Sequence, residues 1–260
     1  MSFIPMSFKN AIVSIGVALD KETAWIGTGF FVGKKVTEQS YEVYLVSNKH
    51  VLKENKKYRI RMVDKTSGCV KEYDLPLSHT NCLLSNDDSI DIGIVHINGA
   101  FIQAHIINFG LIDIDTNSLS SDEYLEKGGA SGDSIYMLGY PMGLVDAESN
   151  EPICRTGCVA RMTKSEIKRT KKFMLDLQNF PGNSGSPIFI KPEAFALEGS
   201  KNIDRCYLIG IINSYIPYEE KLVNIQTNRI VETRSENSGI ALANPTEFIR
   251  KLIAEFKKRK

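Results

Sequence analysis

Apolar and polar residues alternate along the first part of the chain with the period of a β-strand. Ala11, Val13, Ile15 and Val17 fall on one face of a first strand, and residues 25–32 continue the apolar pattern in a second. Side chains two residues apart point to the same side of a strand, so each run would bury one face. The chain therefore begins with a pattern typical of an antiparallel sheet.

Short runs of the same kind recur toward the middle of the chain. Residues 41–46, 58–62 and 90–97 are rich in apolar, β-branched and aromatic residues and are separated by turn-forming residues. No long helical pattern alternates with them, whereas a parallel sheet would need a helix between successive strands. We therefore predict an all-β fold built of antiparallel barrels.

The pattern changes to a helical period after residue 243. Asn244 is placed to cap a helix that Pro245 begins, and basic residues at 257–260 suit the negative end of its dipole. The apolar stripe on one face consists of Phe248, Leu252, Ile253 and Phe256. A helix lying on a membrane surface is the alternative, but we favour a packed terminal helix with a frayed basic end.

Composition argues against two broad classes of partner. The 260 residues include 32 basic and 31 acidic side chains, so a formal charge of +1 gives no general attraction to nucleic acid or to an anionic membrane. A local basic run precedes a strand predicted at residues 173–177, and we interpret it as a solvated loop. Its residues are Arg161, Lys164, Lys168, Arg169, Lys171 and Lys172. With 42% apolar residues, the chain can form one large domain or two small ones.

No segment marks the chain for a membrane or for export. No apolar run approaches the length of a membrane span, and residues 1–18 lack both a basic start and a small-residue cleavage site. The five cysteines are an odd number, which fits a reducing compartment. Cys154 and Cys158 are not spaced like a zinc-binding pair, so we expect no metal and no cofactor. We predict a cytoplasmic protein.

The stretch that carries chemistry is residues 179–187, Asn-Phe-Pro-Gly-Asn-Ser-Gly-Ser-Pro. Its glycines and proline would hold Ser184 on a tight, exposed turn, and the backbone N–H groups of Gly182 and Ser184 can point at one spot. A serine that attacks a carbonyl needs such donors for the oxygen that becomes negative. The alternative is an ordinary hairpin turn, because Gly, Asn and Ser are common in turns.

The histidines narrow the choice of catalytic arrangement. They are His50, His79, His96 and His105. All precede Ser184, which excludes the order Ser, acid, His of an α/β-hydrolase and leaves His, Asp, Ser or Asp, His, Ser. Antiparallel strands favour the order His, Asp, Ser. His50 follows a strand at residues 44–47 and would project from its end toward a cleft, whereas the other three fit positions without a catalytic role.

An aspartate is needed to orient the imidazole, and Asp91 is the best placed. It follows a polar loop and begins the apolar run of residues 92–95, so it would be partly buried at a strand edge. Asp87 and Asp88 are the competitors. Neither adjoins the apolar run, and we interpret both as solvated loop residues.

Five segments occur in the order seen in one protease family. They read GTGFFV at 27–32, YLVSNKHV at 44–51, SIDIGIV at 89–95, YMLGYP at 136–141 and GNSGSP at 182–187. On these segments the chain resembles the trypsin-like serine peptidases, which have the chymotrypsin fold. Within that family it is similar in look to bacterial HtrA-like proteases, although no PDZ domain follows, and to glutamyl endopeptidases. The resemblance implies two antiparallel six-stranded β-barrels with a C-terminal α-helix.

The resemblance also implies an active site in the cleft between the barrels. His50 and Asp91 would come from the first barrel and Ser184 from the second, with Gly182, Asn183 and Ser184 forming the oxyanion hole. The implied activity is a serine endopeptidase that hydrolyses protein or peptide substrates through an acyl-enzyme intermediate. The alternative is an inactive relative that serves as a binding module. Intact candidates at all three catalytic positions favour the enzyme.

These expectations divide the chain into four parts. Residues 1–114 would form the N-terminal barrel, the polar residues 115–132 a linker, residues 133–243 the second barrel, and residues 244–260 the helix.

Specificity residues follow from the resemblance. Gln178 would lie at the base of the primary pocket, where a neutral amide offers no ion pair to a substrate arginine or lysine. The main chain of Ile212, Asn213 and Ser214 would pair with the substrate as an extra strand, and Gly239 would form another wall. Ile212 stands where glutamyl endopeptidases have a histidine. We predict a preference for a small or medium uncharged side chain.

The residue at position 183, an asparagine, indicates how the oxyanion hole would be formed. Trypsin-type zymogens pair a newly cut N-terminal amine with an aspartate at this position, and a neutral amide cannot replace that counter-charge. We therefore predict that the chain needs no N-terminal cleavage to form its oxyanion hole.

Overall fold

The computed structural model describes residues 3–20, 22–53, 57–193 and 203–259. Within these ranges most of the ordered structure is β-strand. The strands are β1 Ile12–Ala18, β2 Thr23–Thr37, β3 Ser40–Ser47, β4 Tyr58–Val63, β5 Val70–Leu75, β6 Cys82–Leu84, β7 Gly93–Ile97, β8 Ile112–Asp113, β9 Ser134–Gly139, β10 Ile153–Arg161, β11 Phe173–Asp176, β12 Pro187–Ile190, β13 Tyr207–Asn224 and β14 Arg229–Pro245. The helices are α1 Met6–Lys9, α2 Gly99–His105, α3 Ser121–Glu126, α4 Lys164–Thr170 and α5 Thr246–Arg259, and Pro141–Gly143 forms a 3₁₀ turn.

The N-terminal strands form one curved sheet. Its path is β5-β4-β1-β2-β3-β7-β6, and β8 adds a parallel pairing beside β2, which makes eight strands where the sequence predicts six. β5 and β6 are separate strands because the chain turns between them. Pro76 lacks an N–H for a ladder, and its carbonyl accepts a hydrogen bond from the Asn81 side chain at 2.9 Å. The fold class itself is confirmed.

The C-terminal strands close into a six-stranded barrel in the order β10-β11-β14-β13-β12-β9. Its interior is lined by inward-facing side chains of alternate strand residues, among them Met137, Phe173, Leu175 and Ile209, each almost fully buried. Alternation of this kind is what a small closed barrel requires, because its interior is filled by side chains. β12 begins directly after the turn that carries Ser184, so the barrel wall fixes one end of that turn.

Helix α5 packs against the N-terminal sheet. Ile249, Leu252, Ile253 and Phe256 are buried in the same apolar cluster as that sheet, and the Phe256 ring lies 5.8 Å from the Tyr44 ring. This supports the packed terminal helix. The predicted cap is wrong, however, because Asn244 and Pro245 end β14 and the helix begins at Thr246. Lys260 lies outside the described residues.

The basic run of residues 161–172 contains a helix, α4, where a loop is predicted; Arg161 ends β10, and Lys171 and Lys172 follow the helix. Thr163 caps α4 through its side chain, which accepts a hydrogen bond from the backbone N–H of Glu166. The Glu166 carboxylate in turn binds the Arg161 guanidinium at 2.8 Å and 3.0 Å. Part of the positive charge is thus neutralised within the chain.

Within the described ranges, no helix is long and apolar enough to cross a membrane. The same residues include no cluster of three or more His, Cys, Asp or Glu side chains that could hold a metal ion. No disulfide bond joins any two of the five cysteines, all of which lie in the described ranges. Burial raises the pKa of the Cys206 thiol to about 12, so this side chain is a protonated core residue and not a second nucleophile.

Candidate active site

His50 and Asp91 meet at one wall of an open cleft. Nδ1 of His50 lies 2.5 Å from Oδ2 of Asp91, and the His50 backbone N–H donates to Oδ1 of the same carboxylate at 3.0 Å. The Asp91 side chain is 19% exposed and the His50 side chain 44%. Because one ring nitrogen faces Asp91, the other nitrogen, Nε2, lies on the opposite edge of the imidazole, away from the carboxylate.

The competing aspartates do not contact the imidazole in this way. The Asp88 carboxylate is fully exposed and pairs with Lys49 at 3.1 Å. The Asp87 carboxylate accepts the backbone N–H of Ser89 at 2.9 Å. The other histidines lie elsewhere: the His96 ring stacks on Phe256, His105 contacts Phe101, and His79 is exposed in a loop.

The loop that carries Asp91 is not part of a strand. The sequence predicts a strand over residues 90–97, but β7 begins only at Gly93. The Asp91 carbonyl accepts a hydrogen bond from the Asn48 side chain at 2.7 Å, and the Ile90 N–H donates to the Asp87 carbonyl. These backbone groups are therefore used to hold the loop beside His50 and not to extend the ladder.

A buried asparagine from β14 ties this loop to the C-terminal barrel. The Asn244 amide oxygen accepts hydrogen bonds from the Asp91 backbone N–H at 3.2 Å and from the Asn213 side chain at 2.9 Å. Its amide nitrogen donates to the carbonyls of Ser89 and Lys171, at 3.2 Å and 2.7 Å. All four hydrogen-bonding positions of the amide are filled, and the residue is fully buried.

Ser184 is carried by a rigid turn, which we call the serine turn and define as residues 179–186. It starts with a type II β-turn, in which Pro181 and Gly182 are the central residues and the Asn183 N–H donates to the Phe180 carbonyl at 3.1 Å. Gly182 has φ +92°, as the third position of such a turn requires. A Cβ there would lie 2.4 Å from the Tyr140 carbonyl oxygen, so glycine is needed for both conformation and space.

Two carbonyls fix the orientation of the peptide groups that precede Gly182 and Ser184. The Pro181 carbonyl accepts the Met142 N–H at 2.5 Å, and the Asn183 carbonyl accepts the Ser186 N–H at 2.8 Å. In a trans peptide the N–H points away from the preceding C=O. The N–H groups of Gly182 and Ser184 therefore point away from these two partners, and the described part of the chain gives neither N–H an acceptor.

Thr28 of β2 anchors the serine turn to the N-terminal sheet. Its hydroxyl donates to the Gly182 carbonyl at 2.8 Å and accepts the Tyr140 N–H at 3.1 Å, while its backbone N–H donates to the Ser184 carbonyl at 2.8 Å. Its own carbonyl accepts the Ser47 hydroxyl at 2.7 Å. Thr28 is fully buried, so these bonds connect the two halves of the molecule away from water.

His50, Asp91 and Ser184 line one cleft of about 400 Å³. The other lining residues are Asn179, Phe180, Pro181, Asn213, Ser214 and Tyr215. The structure thus brings together the three side chains that the sequence nominates for catalysis. Asn213 and Ser214, from the predicted specificity set, lie in the same wall.

The remaining predicted specificity residues, Gln178, Ile212 and Gly239, are not among the residues that line this cleft. Gln178 is exposed, and its amide nitrogen is 3.6 Å from where a Cβ on Gly239 would be. Ile212 is fully buried, its N–H donates to the Ser186 carbonyl at 2.9 Å, and its carbonyl accepts the Gly185 N–H at 3.5 Å. Its main chain is therefore already paired with the serine turn, which leaves β13 free for a substrate only beyond this residue.

The Asn183 side chain points into the protein. It is fully buried, and among the described residues neither its amide oxygen nor its amide nitrogen has a hydrogen-bond partner. The N-terminal segment lies elsewhere on the surface, where the Lys191 ammonium sits 5.3 Å above the Phe3 ring. Met1 and Ser2 are outside the described residues.

Sequence reasoning did not nominate Thr28, Met142 or Asn244 as site residues. Thr28 stands between two glycines in a strand, which is a signal for close backbone approach. Met142 acts through its backbone, so its side chain carries no signal. Asn244 stands just before a proline and a predicted helix, and this position favours its interpretation as a helix cap.

Comparison with known proteins gives a single family. A family model described as a trypsin-like peptidase domain matches residues 27–194, a range that contains His50, Asp91 and Ser184. A search of curated proteins found no significant match.

Proposed function

Since the chain belongs to the trypsin-like peptidase family, we propose that it is a serine endopeptidase acting on proteins or peptides, with His50, Asp91 and Ser184 as its catalytic residues. The observation that carries the proposal is that the short His50–Asp91 contact and Ser184 share one open cleft. Cys206, the buried thiol, lies outside this cleft and plays no part.

The first step is attack by the Ser184 hydroxyl on the carbonyl carbon of the scissile peptide bond. The hydroxyl is a weak nucleophile until a base accepts its proton. Nε2 of His50 is that base, because Nδ1 faces Asp91. The Asp91 carboxylate holds the imidazole in the tautomer with the proton on Nδ1 and stabilises the imidazolium that forms.

The oxyanion of the tetrahedral intermediate is bound by the backbone N–H groups of Gly182 and Ser184, within a turn that also includes Asn183. The hydrogen bonds of Pro181 to Met142 and of Asn183 to Ser186 support this role, because they orient both peptide groups before any substrate arrives. Preorganised donors of this kind stabilise the transition state without reorganisation during the reaction.

The proton taken from Ser184 then passes from His50 to the leaving amine, and the peptide bond breaks to give an ester on Ser184. A water molecule enters as the amine departs. His50 removes a proton from this water, the water attacks the ester carbonyl, and the acid product leaves with Ser184 protonated again.

Specificity is the finer part of the proposal. The Gln178 amide nitrogen lies 3.6 Å from where a Cβ on Gly239 would be, and neither residue brings a charge, which supports a small or medium uncharged substrate side chain before the scissile bond. The main chain of Asn213 and Ser214 would pair with the substrate. A kinship with HtrA-like proteases or glutamyl endopeptidases, and the chain division at residues 114, 132 and 243, stay predictions.

A digestion experiment tests the activity. The wild-type chain and its Ser184→Ala variant are incubated with an unfolded casein-like protein, and the products are identified by mass spectrometry. We expect peptides from the wild-type reaction and an essentially intact substrate with the variant. Equal cleavage by both proteins would rule out Ser184 as the nucleophile, and cleavage by neither would favour a binding module.

A further inference from the structure

The long hairpin of β13 and β14 continues far beyond the barrel. Residues 215–238, which we call the outer ribbon, form a two-stranded ladder from the pair Pro217 and Asn237 to the pair Asn224 and Arg229. Almost every residue in it is exposed. The exposed apolar residues are Tyr215, Ile216, Tyr218, Leu222, Val223, Ile225, Ile230 and Val231. An isolated two-stranded ribbon is only marginally stable in water, so a third strand would suit this one.

The base of the outer ribbon is fixed at the cleft. Tyr215, the first residue of the ribbon, lines the cleft with Ser184, as do Asn213 and Ser214 just before it on β13. On the returning strand, the Asn237 side chain donates to the Asn179 carbonyl at 2.5 Å, which ties the ribbon to the serine turn. The ribbon therefore leaves the barrel from the site where a substrate would be cut.

One edge of β13 is free along the outer ribbon. β14 occupies one edge from Gly210 to Asn224, while β12 pairs with the other edge only from Tyr207 to Ile211. Past Ile212, which bonds to the serine turn, the described residues place no strand on this second edge. Its main-chain groups begin beside Ser184 and run to Asn224, a span of roughly 35 Å at about 3.3 Å per residue.

We propose that the free edge of the outer ribbon, on β13, binds the part of an extended polypeptide substrate that lies upstream of the residues next to the scissile bond, as an added antiparallel strand. The proposal rests on the proposed function and names its substrate class: unfolded chains with about ten residues before the cut. β13 runs away from the cleft, so an antiparallel partner runs toward it and enters with its N-terminal side on the outer ribbon. Recognition through main-chain hydrogen bonds makes little demand on sequence.

The amino-acid sequence of β13 along the outer ribbon argues against permanent pairing with another strand. Pro217 has no N–H to donate, and Glu219, Glu220 and Lys221 place three consecutive charges on the strand. Proline and charged residues are the means by which edge strands resist pairing between folded copies. A weak, reversible pairing is what a substrate site needs, because products must leave.

A shortened variant tests the proposal. Residues 219–235 are replaced by Asn-Gly, a two-residue turn that joins Tyr218 to Glu236, which already face each other across the ladder. Two fluorogenic peptides share one cleavage sequence, taken from the casein digest, and carry four or twelve residues before the scissile bond. We expect kcat/KM of the long peptide to fall roughly 10- to 100-fold, the equivalent of one to a few net hydrogen bonds, with the short peptide unchanged.

N-methylation of the long peptide provides a matched control within the substrate. Alternate backbone nitrogens of an added strand face the ribbon, and the others face solvent. Within the part that only the long peptide carries, methylating one alternate set should reduce kcat/KM with the wild-type chain to the level of the short peptide, and methylating the other set should not. The shortened variant should not distinguish the two sets.

Three results would overturn the proposal. They are an equal loss for both peptides, no loss for either, and a wild-type dimer in sedimentation experiments that the shortened variant abolishes. The last would assign the ribbon to a second copy of the chain. Turnover of the short peptide by the wild-type chain distinguishes these outcomes from a failure of the proposed function.

Discussion

The inner and outer halves of the β13–β14 hairpin are made of the same two strands but differ in everything around them. The inner half, which includes Ile212, Asn213 and Asn244, is buried and hydrogen-bonded to the serine turn and the Asp91 loop. The outer ribbon, residues 215–238, touches little besides itself. The proposed function gives this difference a reason. The negative charge of the proposed oxyanion would develop beside the inner half, which therefore has to be rigid, whereas the outer edge would only have to offer main-chain groups.

The largest expected effect follows from removing the base at the rigid end. His50→Ala should reduce kcat/KM by about 10⁴- to 10⁶-fold, because the members of a triad act as a unit. His79→Ala, in an exposed loop, is the matched control and should keep wild-type activity. Steady-state kinetics on the short peptide measures both. Near wild-type turnover by His50→Ala would show that the His50 imidazole is not the catalytic base.

The next effect concerns the partner of His50. Asp91→Asn should lower kcat by about 10⁴-fold, since an amide would hold the imidazole in the wrong tautomer. Asp88→Asn breaks only the exposed pair with Lys49 and should leave the rate unchanged. If the two variants exchanged these results, the orienting carboxylate would be that of Asp88 and not that of Asp91.

A smaller loss of kcat is expected from a substitution in the serine turn. Gly182→Ala places a Cβ 2.4 Å from the Tyr140 carbonyl oxygen at φ +92°, so the turn must shift and kcat should fall by about 10²- to 10³-fold. Gly132→Ala is the matched control, because its φ is +97° and no atom lies within 4 Å of the added Cβ. This variant should have the same strain of a positive φ at a non-glycine residue, but without a loss of kcat. Equal kcat values for both variants would show that the N–H of Gly182 is not part of the hole.

The smallest effects compare stability in the two halves of the hairpin. Asn244→Ala removes a buried amide with four hydrogen bonds and leaves its partners unpaired, so the free energy of unfolding should fall by about 2 to 4 kcal/mol. Leu222→Ala on the outer ribbon should change it by less than about 0.5 kcal/mol. Urea unfolding followed by circular dichroism measures both. A larger loss at Leu222 would mean that the ribbon packs against something in solution.

Much of the fold could be predicted because buried strands carry a period that the sequence displays. β1, β3 and β4 match the predicted runs closely, and α5 buries three of the four residues of the predicted stripe, Leu252, Ile253 and Phe256. The outer ribbon shows no such period, because a strand that is exposed on both faces does not require alternating apolar and polar residues. Its turn, with Asn224 and Asn228, was the available sequence cue.

The candidate site shows the same division. His50, Asp91 and Ser184 could be nominated from residue type, order and neighbouring strands. Thr28, Met142 and Asn244 hold those groups through contacts between residues far apart in the chain. Such contacts follow from the closed fold, and no local pattern encodes them.

The central claim is that Ser184 is activated in the intact chain. The most direct measurement is to purify the full-length protein, confirm its mass, react it with a fluorophosphonate, and locate the adduct by peptide mapping. The account predicts one adduct per chain, on Ser184, absent from His50→Ala and formed without N-terminal trimming, as Asn183 in place of an acid requires. No adduct, an adduct elsewhere, or labelling that appears only after proteolysis of the N-terminus would contradict it.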